Sequence, residues 1–298
     1  MTTAQASAPA DGAHESDRSD SSGVGPGSQA ERIAGTLRDE ILRGQYREGE
    51  RLPSERDLAQ RFGTTRGSVR EAVKKLEQLG LACVRPGGAR VAPRDEASLE
   101  VVAHLLHLES PPHPLVVDQV VEALGIVSLG AARLAMERAS DDEIARARTI
   151  AGRIRENESI DAALLAFREL TDLFVEASGN LVLQLVRRGL RTQLEEHVRP
   201  PLEAHGSAAE AMPMLPALPH LDSALAERDA VAVTKEFGEL LAFLRGVLQD
   251  RLRAARRDLP PAGPTESPGS RWLTGTTPHD SSEAALRPAL HAHDGGAR

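Results

Sequence analysis

At 298 residues, with 40% hydrophobic and 27% charged side chains, the chain has a globular composition and the length of one large or two ordinary domains. Its single cysteine, Cys83, excludes an intrachain disulfide and a zinc–thiolate site. No hydrophobic signal segment is evident, nor an apolar run near the roughly 18 residues a spanning helix needs, so no membrane partner and a cytoplasmic location are expected. The net charge of −8 argues against nucleic acid until its distribution is considered: residues 29–94 carry 14 Lys/Arg against 9 Asp/Glu, a net of +5, which leaves −13 on the rest. A basic segment on an acidic body is the asymmetry that matters for DNA affinity.

In chain order, residues 1–28 are Ser, Gly, Ala and Asp with almost no large apolar side chain, and are expected to be a disordered tail. Residues 30–43 place Ile33, Leu37, Ile41 and Leu42 on one helical face, and Gly44 ends that helix. Glu50-Arg51-Leu52 reads as a short extended piece between Gly49 and Pro53. Ser54 with Asp57 is a near capping box for a second helix, Glu55–Phe62, with Leu58, Ala59 and Phe62 inward. Gly63 permits a sharp turn, and Thr64 or Thr65 caps a third helix running to about Leu79. Its Val69, Ala72, Val73 and Leu76 face the core, with Arg66, Ser68 and Arg70 off that face near the N-terminus. After Gly80, Leu81–Val84 and Ala89–Val91 read as two short strands about Arg85-Pro86-Gly87-Gly88, a hairpin.

Helix, tight turn, helix, with donors on the first turn of the second member, is the geometry by which a recognition helix enters the major groove. Arginine can fork onto guanine O6 and N7, and hydroxyls reach phosphates or bases. The hairpin beside it reads as a wing, with Gly87 and Gly88 allowing close backbone approach and Arg85 or Arg90 supplying charge.

The stretch LPSERDLAQRFGTTRGSVREAVKKLEQLGL followed by VRPGGARV resembles the GntR-type winged helix-turn-helix over about residues 30–93. The resemblance implies double-stranded operator DNA as partner and a homodimer. Its usual DNA contacts fall on Arg56, Thr65, Arg66, Gly67, Ser68, Arg70 and Gly87. Gly67 sits where the family often has a larger polar residue, so that contact is either missing or made by backbone.

From Asp95 to about 258, helical periodicity predicts an all-α effector-binding and dimerisation domain of six or seven helices, giving a mostly α fold behind the winged head. Ala97–Leu108 is the first, and Pro111, Pro112 and Pro114 break it. Val116–Ala139 follows, then a start at Ser140-Asp141-Asp142-Glu143, a helix over 160–177, another over 181–198, and a last one capped by Asp229. Residues 259–298, rich in Pro, Gly and Ser, are expected to be a second disordered tail, in which Trp272 is out of place unless it docks on something.

The order of these helices and the stretch FRELTDLFVEASGN resemble the effector domain of the FadR branch of GntR regulators. Many members of that branch hold a divalent metal with one Asp and three His, and an Arg for a small carboxylate. Anchored on Ala177-Ser178-Gly179-Asn180, those positions fall here on Phe167, Thr171, Leu218, Leu240 and Leu124. None offers an imidazole, carboxylate or guanidinium, so no metal and no cofactor are expected, His220 being the one candidate for a displaced ligand. Metal-free members of the branch respond to long-chain acyl-CoA, which makes an apolar or amphipathic effector the expectation. A packed core with no effector, leaving a constitutive DNA-binding dimer, is the alternative, as is a metal-dependent, small-carboxylate-responsive repressor.

His104 and His107, three apart and near His113, read as surface histidines rather than a metal site, and Asp141-Asp142-Glu143 as helix capping. The absence of nucleophile-elbow, P-loop and dinucleotide-binding patterns speaks against an enzyme.

Overall fold

The computed structural model describes residues 26–156, 160–200, 218–257 and 272. The expected tails, apart from residues 26–28 and Trp272, lie outside the described residues.

Helix α1 (Pro26–Leu42) begins four residues earlier than its apolar periodicity suggests, and it fully buries Ile33, Leu37, Ile41 and Leu42. Helix α2 (Glu55–Arg61) is capped by Ser54, whose hydroxyl accepts from the Asp57 N–H and donates to the Asp57 carboxylate at 2.7 Å. Thr65 caps helix α3 (Arg66–Gln78), accepting from the Ser68 N–H at 3.2 Å. Leu58 of α2 and Val69, Ala72, Val73 and Leu76 of α3 close on the α1 stripe to form one apolar cluster.

The chain leaves α3 through Gly80, at φ +67°, into strand β1 (Ala82–Arg85), which pairs antiparallel with β2 (Gly88–Val91). Ala82 stands opposite Val91 and Arg85 opposite Gly88. The Glu50–Leu52 piece extends the hairpin: the Leu52 N–H donates to the Ala89 carbonyl, and the Val91 N–H to that of Glu50, both at 2.9 Å.

A 3₁₀ turn, Arg94–Glu96, leads to helix α4 (Val101–His107). This helix starts four residues later than expected because Ala97 is extended and the Ser98 N–H donates to the Leu79 carbonyl at the end of α3. Val101, Leu105 and Leu106 of α4 join the cluster of the winged head. That cluster runs on into Val116, Val117 and Val120 of α5 (Pro114–Arg138), so head and helical region share apolar packing.

The remaining helices are α6 (Asp141–Glu156), α7 (Ile160–Ala177), α8 (Leu181–His197), α9 (Leu221–Ala226) and α10 (Ala230–Arg257). Ser140 and Glu143 form a reciprocal capping box at the start of α6, which holds the Glu143 carboxyl below its ordinary value through the Ser140 N–H and hydroxyl. Helix α5 is central, packing against α7, α8 and α10. Its antiparallel register with α10 is pinned by ionic and polar ties along its length. Arg256 reaches Glu109 and the Pro111 carbonyl, Arg245 forks onto Asp118 with both bonds at 2.6 Å, and Arg228 donates to the Ala139 carbonyl. By length and composition α5 could cross a membrane, with a mean hydropathy of 1.7 over 18 residues, which corrects the expectation that no such run exists. It packs against four helices, α4, α7, α8 and α10, and a third of the apolar stretch is buried.

A second cluster joins Ala132, Ala135 and Met136 of α5 to Ile144, Ile150 and Ile154 of α6. Ala166, Leu170 and Phe174 of α7, Leu225 of α9, and Val233, Phe237 and Leu240 of α10 complete it.

Two consequences are measurable. A Cβ on Gly80 would lie 2.1 Å from the Glu96 carbonyl oxygen, at a φ that L side chains rarely adopt. Gly80→Ala is expected to destabilise the protein by roughly 2 kcal/mol or more, read from a lowered urea midpoint. Burial, before any charge effect, holds His104, His113 and His197 below the ordinary imidazole value. The folded state therefore favours their neutral forms, and the stability they contribute is present above about pH 6.5 and declines as pH falls below it. Thermal midpoints should drop between pH 7.5 and pH 5.5, and substituting His104 by Gln should flatten that drop.

Candidate nucleic-acid interface

The α2–α3 pair is held to α1 by a part-buried tie. Arg61 forks onto Glu40, with Nη1 to Oε2 at 3.0 Å, and the Tyr46 hydroxyl donates to the same carboxylate at 3.4 Å. Burial and the neighbouring Glu40 push the Tyr46 phenol up. Arg61 is thus a positioning residue, and neither it nor Glu40 was singled out by periodicity, because the pair is 21 residues apart in sequence.

On this frame the first turn of α3 projects from a tight turn in which Gly63 takes φ +58°. Thr65, Arg66, Gly67 and Arg70 are exposed there, and Arg56 is exposed on the first turn of α2. Thr65 is exposed as a residue while its hydroxyl caps the helix. Arg70 Nε donates to Glu55 at 2.8 Å, tying α3 to the first turn of α2. A Cβ on Gly67 would meet only the Thr65 hydroxyl, at 3.6 Å, an ordinary contact, so the glycine is not there to relieve a clash.

Ser68 departs from expectation. It is buried with Val69 rather than exposed beside Arg66 and Arg70, and its hydroxyl lies 3.2 Å from that of Thr65. The reason is the cap: the N–H that Thr65 accepts draws Ser68 against the turn.

In the wing, Gly87 and Gly88 both have positive φ, at 102° and 118°. Gly87 is exposed with open space around it, whereas a Cβ on Gly88 would press on the Arg51 guanidinium at 3.2 Å. Arg85 is exposed at the turn, while Arg90 donates to the Gly49 carbonyl at 2.9 Å and so braces the wing base. Arginines at the recognition turn and at the wing tip can meet phosphates in adjacent grooves, while an exposed helix start accommodates an anion.

In the helical region, Phe167, Thr171, Leu218 and Leu240 come together on the second cluster, while Leu124 packs against the first. Phe167 stacks on Phe237 at 5.3 Å, and Phe174 meets Phe237 edge-on at the same distance. The Thr171 hydroxyl donates to the Phe167 carbonyl at 2.7 Å. These residues do not fit a divalent metal, since stacked rings and buried leucines stand where ligands would be needed. Among the described residues no group of three or more His, Cys, Asp or Glu side chains could hold one. His220 is exposed, His104 lies 3.4 Å from Arg38, His107 meets the His197 ring edge-on, and His113 caps α5.

Two polar features escaped the sequence reading. Glu236, one turn before Leu240, is 5% exposed and its Oε2 has no hydrogen-bond partner among the described residues. Between α7 and α8, a cleft of about 470 Å³ is lined by Asp172, Gln184, Arg187, Arg191, Thr192 and Glu195. Four of its charged side chains are paired, since Arg187 and Arg191 both reach Asp172, and Arg168 and Arg191 both reach Glu195, while Glu176 and Arg188 also line it.

Comparison with known proteins bears on the head first. The profile described as "Bacterial regulatory proteins, gntR family" matches residues 29–91, the same span as the helices and wing just described. The chain is 42% identical over 95 residues to the HTH-type transcriptional regulator Rv0494 of Mycobacterium tuberculosis, covering 32% of this chain and 34% of that protein. It is 32% identical over 121 residues to the galactonate operon transcriptional repressor of Escherichia coli, covering 40% and 53%. With the HTH-type transcriptional regulator Mce2R of Mycobacterium tuberculosis the likeness extends past the head: 30% identity over 173 residues, 56% of this chain and 71% of that one. Head geometry, matching profile and a relative covered over most of its length agree that this chain belongs to the GntR family of bacterial DNA-binding transcription regulators, which are not enzymes.

Proposed function

We propose that the protein is a cytoplasmic repressor that binds a two-fold symmetric operator as a homodimer through its winged heads. The observation that carries this reading is the exposed set Arg56, Thr65, Arg66 and Arg70 on and before the first turn of α3, beside the wing turn at Arg85 and Gly87. The α3 turn enters the major groove and the wing tip follows the neighbouring minor groove. Pairing of two chains is supported by Leu181, Val182 and Leu185 on α8, which stand 59% to 66% exposed in its first two turns. Such a cluster of large apolar side chains on one helix is suited to burial against a second copy.

The helical region serves as the regulatory unit, and its effector is apolar or amphipathic, with long-chain acyl-CoA the first compound to test. Support comes from the side chains gathered on the second cluster, where Phe167, Leu218 and Leu240 stand in place of ionic ligands, while Leu124 packs on the first cluster. Effector and operator affinities are then reciprocally linked through the bundle. A constitutive dimer is the second reading, favoured by the Phe167–Phe237–Phe174 stack that fills the centre of the second cluster.

Arg66→Ala and Arg70→Ala should each weaken operator binding by about 1–3 kcal/mol, roughly 5- to 150-fold, without shifting the thermal midpoint. A titration in which both variants bind like wild type would refute the assigned interface. Long-chain acyl-CoA should release the operator in a gel shift and raise the melting temperature. Release by a short-chain acid with divalent metal would overturn the apolar pocket, and no release by either would favour the constitutive dimer.

A further inference from the structure

Trp272 is the sole tryptophan of the chain and lies in a stretch rich in Pro, Gly and Ser. It is nevertheless half-buried, packed against the cluster that joins the winged head to the helical region. Its backbone carbonyl accepts a hydrogen bond from Arg94 Nη1 at 3.1 Å, a contact between residues 178 apart. Arg94 opens the 3₁₀ turn that carries the chain from the wing to α4. The end of α10 lies at the same junction: Arg256 pairs with Glu109, two residues beyond α4, and donates to the carbonyls of Pro111 and Pro112. Ring burial and a side-chain-to-backbone hydrogen bond therefore meet on the head–bundle connection.

We propose that Trp272 is a strap at this junction, its ring seated on the apolar cluster and its carbonyl holding Arg94, and that it keeps the head in register with the bundle. An indole suits the task because it buries a large rigid surface while few side-chain torsions are lost. The junction needs such a support. The connection between wing and α4 is short on regular structure, with a single 3₁₀ turn and an extended Ala97, and it is held by isolated hydrogen bonds such as that from the Ser98 N–H to the Leu79 carbonyl. Isolated bonds of this kind open locally more readily than a helical ladder. For a regulator whose two heads must meet two half-sites at a set spacing, the register of head on bundle decides how well both engage. That functional meaning rests on the dimer reading above, but the docking itself does not.

The test uses the full chain, whose tryptophan emission comes from this one residue. In the absence of DNA, emission should be blue-shifted from that of N-acetyltryptophanamide, and acrylamide quenching roughly threefold weaker or more, as for a ring partly withdrawn from water. Hydrogen exchange then reads the strap. In Trp272→Ala the amides of Ala97 and Ser98 should exchange on the order of tenfold faster than in wild type, with α6 and α7 unchanged, and Trp272→Phe should restore much of the protection. Emission and quenching like the free indole would overturn the docking. A docked ring whose removal leaves the exchange of Ala97 and Ser98 unaltered would overturn the strap. Neither result depends on operator binding, so failure of the strap and failure of the dimeric repressor reading are distinguishable.

Discussion

The apolar cluster that begins on α1 and ends in the bundle is the constraint on which the rest of the molecule depends. Ile33, Leu37 and Ile41 of α1 meet Val69 and Leu76 of α3 within the head, and the same cluster takes in Leu105 and Leu106 of α4, Val117 and Val120 of α5, Leu190 of α8 and Leu252 of α10. Burial of this kind is non-directional, so it supplies cohesion without by itself setting angles. Direction comes from the polar ties laid over it: Glu40 with Arg61 between α1 and α2, the Thr65 cap on α3, and Gly80 passing beneath the Glu96 carbonyl.

Those ties explain why only some basic residues of the head are available to a polyanion. Arg61 is engaged by a nearly buried carboxylate and Arg90 by the Gly49 carbonyl, so both brace the frame. Arg56, Arg66 and Arg85 remain at the surface, and Arg70 is held at Nε by Glu55. An arginine steadied at one nitrogen loses less rotamer freedom when its remaining donors bind. The same logic separates Thr65 from Ser68. One residue caps the helix and remains exposed, while the other is drawn inside by the cap it completes.

The helical region presents a different balance. Its outer seams are ionic, as in the Arg245–Asp118 fork between α10 and α5, and its centre is aromatic and aliphatic. Glu236, next to Phe237 in sequence, carries a buried oxygen without a hydrogen-bond partner among the described residues, a group that costs stability unless something meets it.

What could be read in the chain alone was whatever local spacing encodes. Apolar repeats at Ile33, Leu37 and Ile41, caps at Ser54 and Ser140, and the glycines at 63, 80 and 87 placed the head, its turn, its wing and most of the later helices, because periodicity and positive-φ requirements act within a few residues. Boundaries shifted where a distant group intervened: α4 starts late because the Ser98 N–H finds the Leu79 carbonyl. The pairing of Glu40 with Arg61, the burial of Ser68 and Glu236 and the seating of Trp272 by Arg94 belong to the tertiary structure alone. Each depends on groups brought together by packing, and neither periodicity nor capping chemistry carries information about which separated residues will meet.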